Sequence, residues 1–325
     1  MKIFITGGTG NIGQYVTQAL LQAGHSLVAY TRTPGRTPEL TKQPNLTLIE
    51  GNILDLERMG NALPGCDALI HIALGWGNTP VEMLEHDTKV TAFLLEAAEK
   101  ANVQRFIYTS STAAVGYLHD GLDETACCRP TDLYGATKAA SEAYLLGFRQ
   151  FYTGQGRYGE KVKLRRNIIR PGYTFSNPAY EGGASQSDIR FRDIARAVLK
   201  GENLELSQND GTQFLSSEQI AQVYLKLVES DHNEEIILAL GSVFTSWADI
   251  ARMALSHVPN SRSRIISPKD EVPSNRPMYS VAKMQSLLGL QFDATEALNE
   301  HMRWNVERER EVLAGKSVHD VYHVW

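Results

Sequence analysis

The chain opens with a short apolar run, residues 3–5. It stops at a cluster of glycines and gives way to a stretch in which Ile12, Tyr15, Val16, Ala19 and Leu20 recur at helical spacing. The pattern predicts a strand over 3–5, a glycine turn, and a helix over 14–23 ended by Gly24. Further apolar runs at 26–30, 46–50, 68–72, 106–110 and 163–169 read as strands. Amphipathic stretches at 90–100, with Phe93, Leu94 and Ala97 on the apolar side, and at 134–151 read as helices. Strands alternating with helices predict an α/β fold, a doubly wound parallel sheet of the Rossmann kind.

The second half is less regular. Residues 152–161, with Thr153, Gly154, Gly156 and Gly159, read as a loop, and 176–188, rich in Gly, Ser, Asn and Pro, as a mobile lid or substrate loop. Helical patterns recur at 187–200, 217–230, 246–257, 280–288 and 294–310. The simplest layout is a dinucleotide-binding domain over 1–172 and a smaller, mainly C-terminal α/β substrate lobe over 173–325, with later segments free to return to the sheet. No internal repeat or low-complexity tract is visible.

Composition narrows the class. With 325 residues, 42% hydrophobic and 21% charged, the chain is long enough for a large core and is neither disordered nor membrane-like. A formal net charge of −5 gives no reason to expect nucleic acid or an anionic membrane as partner. The three cysteines, Cys66, Cys127 and Cys128, have no metal-binding spacing and suit a reducing compartment. The first strand begins at residue 2, which leaves no room for a leader, and no apolar run approaches a membrane span. A cytoplasmic protein is expected, with no metal.

Strand, glycine turn and helix in that order suit a dinucleotide. The turn must be tight, and the helix N-terminus offers free N–H groups to a pyrophosphate. Gly8-Thr-Gly10-Asn-Ile-Gly13 fits G-x-G-x-x-G, and Gly7, Gly10 and Gly13 also fit a three-spaced pattern. An acid at the end of the second strand would hold the adenosine ribose of NAD. The sequence there is Thr31-Arg32, with Arg36 nearby, so a 2′-phosphate is welcome and NADP is favoured over NAD. Tyr134 and Lys138 stand four apart on a helix, on one face, after the Ser/Thr cluster 109–112. A lysine ammonium near a phenol favours the phenolate, which equips Tyr134 to exchange a proton with a substrate hydroxyl while hydride moves at the same carbon.

These residues give the chain a resemblance. It is similar to the extended short-chain dehydrogenase/reductases of the NAD-dependent epimerase/dehydratase family. The resemblance runs through residues 6–13, Gly51-Asn52-Ile53, 67–73, 106–112, Tyr134 to Lys138 with Glu142, Arg170-Pro171-Gly172 and the closing stretch 280–289. It implies that Asn11 and Ile12 meet the pyrophosphate, and that Asn52 and Ile53 meet the adenine. It further implies that Ile72, Ala73 and Leu74 line the cofactor, and that Pro171 belongs to the cofactor-binding set. Ser111, or Ser110 beside it, would polarise the substrate oxygen; Tyr134 would be the acid/base; Lys138 would hold the nicotinamide ribose and tune Tyr134.

The chain also departs from the family pattern. Asn52 stands where Asp is usual, Asp87 where Asn is frequent, and Ser216-Ser217-Glu218-Gln219 where His-Val-Asp-Asp is favoured. Residues 109–112 hold no carboxylate, which disfavours 4,6-dehydration. The leading expectation is an epimerase-type enzyme acting on a sugar or nucleotide sugar. The first alternative is an NADPH-dependent reductase of a small ketone or aldehyde, and the second a non-catalytic NADP sensor. A homodimer through the helices 87–100 and 134–151 follows from the resemblance. His71 reads as structural. Trp76, in Gly75-Trp76-Gly77, reads either as a platform for a substrate ring or as a loop aromatic near the core. Arg276 reads as a phosphate ligand or an exposed arginine.

Overall fold

A computed structural model of the chain describes residues 1–153, 157–161, 163–185, 188–267 and 276–316. Its centre is a sheet of β1 (Lys2–Thr6), β2 (Ser26–Thr31), β3 (Leu46–Glu50), β4 (Ala68–His71), β5 (Arg105–Thr109), β6 (Arg165–Pro171) and β7 (Ile236–Ala239). All neighbours pair in parallel, in the order β3-β2-β1-β4-β5-β6-β7. The order reverses between β1 and β4, and in such sheets a ligand crevice opens outside the strand ends at that point.

The continuous apolar runs have a physical cause: both faces of the sheet are covered, and successive side chains point to opposite faces. Ile3 and Ile5 pack with Val16 and Leu20 of α1 (Asn11–Gln22) on one face, while Phe4 between them packs with Val90 and Leu94 on the other. On that second face lie α2 (Leu56–Asn61), α3 (Lys89–Lys100) and α4 (Leu133–Gly147). Residues beyond 172 contribute to this core. The helix α6 (Ser217–Glu229) buries Ile220, Tyr224 and Leu227 against α1 and β1, and β7 extends the sheet at its β6 edge.

A further core is built by α5 (Ile189–Lys200), α7 (Trp247–Ser256) and α9 (Thr295–Leu313), while α8 (Ala282–Leu288) packs on the first core. Phe175, Phe191, Phe214 and Trp247 meet there at edge-to-face or tilted angles. Glu309, buried on α9, is held by Arg192 and Arg196 of α5. Among the described residues no helix is long and apolar enough to cross a membrane.

Three expectations change. The helix read over 134–151 ends at Gly147, and Gln150–Thr153 pairs antiparallel with Arg157–Lys161, so the stretch read as a loop is largely a hairpin. The β-branched and aromatic residues there outweigh the glycines, of which Gly154 and Gly156 lie outside the described residues. The helix read from 187 begins at Ile189, N-capped by Asp188; Ser187 also lies outside them.

His301 of α9 lies between Phe175, Phe191 and Trp304, with Nδ1 2.8 Å from Asn177 Oδ1. Burial pushes its pKa from an ordinary 6.5 to about 3. The unfolded chain therefore takes up this proton first, and stability falls as pH drops from about 6.5 towards 3. We expect unfolding free energy to decline by about 1.4 kcal/mol per pH unit in that window for each such histidine. His301→Gln should reduce the slope in urea titrations between pH 7 and 5, and an unchanged slope would remove His301 from the account.

Candidate active site

The crevice between β1 and β4 is floored by glycines with no room for side chains. Gly7 has φ +73°, and a Cβ on it would stand 2.6 Å from Ala73 N. A Cβ on Gly13 would overlap the Gly7 carbonyl oxygen. Gly10 N–H bonds Gly7 O at 2.9 Å, and Gly10 caps α1 without any side-chain hydrogen bond. No acid stands in the first turn of α1. Its N–H groups and dipole thus face the crevice uncompensated, an arrangement that suits a pyrophosphate. Asn11 and Ile12 open this helix; Ser176 Oγ donates to Asn11 Oδ1.

At the end of β2, Thr31 is buried, its hydroxyl 2.9 Å from that of Thr9. Arg32 is exposed. Arg36, in the short turn Pro34–Arg36, is more deeply set: its Nε and Nη2 are buried with no hydrogen-bond acceptor among the described residues. Burial and the like charge of Arg32 hold its guanidinium pKa below the ordinary value. Beyond β3, a Cβ on Gly51 would overlap the Tyr30 hydroxyl. Asn52, exposed, accepts from Leu54 N at 3.0 Å through Oδ1, which leaves its amide N–H groups to donate, and half-buried Ile53 lies beside it. Half-buried Ile72, Ala73 and Leu74 run over the glycine turn, with Ile72 N donating to Thr6 O.

His71 ties this turn to the helices behind. Ala73 N donates to Thr6 Oγ1, which stands 2.7 Å from His71 Nδ1; His71 Nε2 lies 3.1 Å from Thr91 Oγ1, which donates to Asp87 O. The chain assigns the imidazole as neutral, with hydrogen on Nε2. Burial, followed by the Lys138 charge, pushes its pKa to about 3.

The structure separates the two serines at the end of β5. Ser110 is buried and donates to Glu142 Oε1, and Arg170 clamps the same carboxylate through Nε at 2.9 Å and Nη2 at 2.7 Å. Ser111 is half-buried and caps the turn Thr112–Ala114 by accepting from Ala113 N at 3.1 Å, which leaves its hydroxyl hydrogen to donate. Pro171 ends β6, next to Arg170.

Asp132 caps α4 by accepting from Gly135 N at 2.6 Å, which fixes Tyr134 in the first turn and Lys138 one turn on. Lys138 is buried, with Nζ 5.8 Å from the Tyr134 ring centroid and 5.1 Å from that of Tyr108. It lies 3.5 Å from Oδ1 of Asp87, fully buried in the π-helical turn Leu84–Thr88. Burial opposes the ammonium charge, but Tyr108, Asp87 and Tyr134 outweigh it and raise the lysine above its ordinary value. Burial pushes Tyr108 upward and keeps it a neutral phenol, so the formal counter-charge is that of Asp87.

The loop read as a lid is docked in this structure. Gln14, buried on α1, donates to Ala184 O at 2.5 Å and accepts from Ala179 N at 3.0 Å, and Tyr15 donates to Asn177 O at 3.1 Å. Arg276 donates to Gln208 O at 3.1 Å, a contact between loops.

Sequence reasoning missed Gln14 as a clamp, Arg36 as the deeper arginine, and Asp87 as the partner of Lys138. The last carried only a faint signal, an acid at a position where the family often has Asn, with Glu82 and Glu85 close by in the sequence.

The model described as the NAD dependent epimerase/dehydratase family matches residues 3–239. A 3-beta-hydroxysteroid dehydrogenase of Mycolicibacterium neoaurum is 32% identical over 159 residues, 45% of this chain and 43% of that protein. Cinnamoyl-CoA reductase 2 of Arabidopsis thaliana is 32% identical over 130 residues, 38% of this chain and 39% of that protein. The chain thus spans less than half the length of these curated relatives. The crystal structure of UDP-glucuronic acid 4-epimerase from Bacillus cereus, in complex with NAD, superposes with a TM-score of 0.73 at 20% identity, over 96% of this chain and 99% of that one. That likeness is one of fold.

The buried pair yields a stability test. Lys138→Met strands the Asp87 carboxylate, whose Oδ2 already lacks a hydrogen-bond partner among the described residues. It should cost about 3–5 kcal/mol of unfolding free energy. Adding Asp87→Asn should recover much of that loss, and additive losses in urea denaturation would show that the two do not interact.

Proposed function

The chain belongs to the NAD dependent epimerase/dehydratase family, and on that premise we propose that it is an NADP(H)-dependent carbonyl reductase acting on a small molecule. The observation that carries the proton-transfer chemistry is Lys138, a buried, charge-balanced cation beside the Tyr134 ring, and Arg36 is what favours a reductase. The Tyr134 phenol gives its proton to the carbonyl oxygen, Lys138 stabilises the phenolate left behind, and Ser111 donates a hydrogen bond to the same oxygen. The dinucleotide, when bound, supplies the hydride that completes the alcohol. Gly7, Gly10, Asn11, Ile12 and Gly13 hold its pyrophosphate; Asn52 and Ile53 its adenine; Ile72, Ala73, Leu74 and Pro171 line its nicotinamide half; Lys138 also holds the ribose.

Arg36 supports NADP. Two guanidiniums gathered at the end of β2, one with buried N–H groups lacking acceptors among the described residues, suit an adenosine 2′-phosphate. A cofactor that exchanges at each turnover suits a reductase, in keeping with the names of two of the curated relatives, a 3-beta-hydroxysteroid dehydrogenase and a cinnamoyl-CoA reductase. The alternative, an epimerase of a sugar or nucleotide sugar, uses the same Tyr134 chemistry but retains its cofactor through both half-reactions.

We expect the protein to purify without bound dinucleotide and to prefer NADPH. Arg36→Ala should weaken NADPH by about 10- to 100-fold and leave NADH little changed. Tyr134→Phe should lower turnover by roughly 10²–10⁴-fold with cofactor binding kept. Tightly retained NAD would instead establish the epimerase reading, and a Tyr134→Phe protein with full function would leave a sensor.

Exposed Val81, Leu84 and Tyr144 on the adjacent helical segments 80–88 and α4 support a homodimer. Light scattering should give twice the mass of one chain, and Leu84→Glu should shift it towards one.

A further inference from the structure

A carboxylate out of reach of water needs a reason to stay ionised there. Asp87 is fully buried in the π-helical turn Leu84–Thr88, with Oδ1 3.5 Å from Lys138 Nζ and Oδ2 without a hydrogen-bond partner among the described residues. An amide of the same shape, as in Asn, would fill the same space without a charge. Packing alone therefore does not call for the acid, and burying its charge is costly. The charge has to be judged by what it does to the ammonium and to the phenol beside it.

Lys138 is faced from every side. His71 of β4 is buried and neutral, its pKa pushed down to about 3. Tyr108 of β5, with its ring centroid 5.1 Å from Nζ, and Tyr224 of α6 are both pushed upward by burial and stay neutral phenols. Tyr134 of α4 has its ring centroid 5.8 Å from Nζ. Glu142, further along α4, is spent on Arg170. Asp132, the cap of α4, and Glu85 are exposed, and Glu82 and His86 are half-buried, so solvent screens these four. Among the described residues Asp87 is the ionised group paired with the ammonium. A lone ammonium so close to Tyr134 would draw the phenol strongly towards phenolate; a carboxylate against the ammonium weakens that pull. A proton donor has to keep its proton until the carbonyl arrives, whereas a base that oxidises an alcohol has to lose it first.

We propose that Asp87 is a positioning residue that acts through Lys138: its carboxylate restrains the ammonium's pull on Tyr134, so that the phenol waits protonated and the site is set to reduce carbonyls rather than to oxidise alcohols. This rests on the reading of Tyr134 as proton donor. In that step the phenolic proton passes to the carbonyl oxygen while hydride from the bound dinucleotide reaches the carbon. The carbonyl becomes an alcohol, NADPH becomes NADP⁺, and the phenolate regains its proton from solvent.

The test titrates the full chain, without cofactor, by the near-ultraviolet absorbance of phenolate. Subtracting the titration of the matching Tyr134→Phe protein isolates this residue from the other tyrosines. Asp87→Asn should lower the midpoint by at least about one pH unit. The alkaline limb of NADPH-dependent acetophenone reduction should move down with it, with KM little changed. Oxidation of the corresponding alcohol by NADP⁺ at neutral pH should rise about tenfold, since one unit is tenfold in phenolate. A smaller shift of the midpoint in a folded Asp87→Asn protein would overturn the proposal, even with turnover lowered, because Asp87 would then only support the fold. Should Asp87→Asn not fold, Lys138→Met combined with Asp87→Asn removes both charges. A midpoint within about one unit of the wild type then agrees with a restrained lysine, and a larger rise overturns it. If the midpoint moves as expected but acetophenone is not reduced, the role of Asp87 stands and the reductase reading falls.

Discussion

A buried ammonium is hard to keep in a protein interior, and the architecture around Tyr134 is organised by that difficulty. Lys138 lies out of solvent with Asp87 as its counter-charge. To hold that carboxylate inward, the helical segment before Val90 adopts a π-helical turn, and the Asp87 carbonyl is tied through Thr91 and His71 to Thr6 at the end of β1. The glycine turn and the lysine thus belong to one hydrogen-bonded unit. Moving either would leave a neutral, buried histidine without its partners, at the cost of an unmet buried polar group. On the other side, Glu142 takes up Ser110 and Arg170, so that Ser111 is the serine with a hydrogen to give.

Much of this was legible in the chain, and the reasons are specific. Residues 3–5 are apolar throughout because both faces of the sheet are covered, so the strand, turn and helix at the N-terminus stood out without ambiguity. Tyr134 and Lys138 were visible because a spacing of four on a helix survives any packing. The family resemblance is borne out by the match over residues 3–239, and the doubly wound sheet by the parallel strand order.

What the sequence concealed depended on tertiary partners. Arg36 looks like any loop arginine, and only the fold buries two of its guanidinium nitrogens without an acceptor among the described residues. Gln14 looks like a surface residue of α1, yet it carries the backbone of the loop that closes over the helix. Residues 152–161 carry glycines that read as loop, although strand-forming residues lie between them. Trp76 was ambiguous because the close approach of the segment 82–86 to Gly75 and Gly77 cannot be seen in one dimension.

The central claim is that Tyr134 gives a proton to a carbonyl oxygen while hydride from NADPH reaches the carbon. The most direct measurement uses NADPH deuterated at C4 with acetophenone, followed by mass spectrometry of the alcohol. The account expects deuterium at the carbinol carbon with the wild-type protein, and its loss in Tyr134→Phe under saturating cofactor. Equal incorporation by Tyr134→Phe would contradict it, as would an absence of transfer from a wild-type protein that holds NADPH.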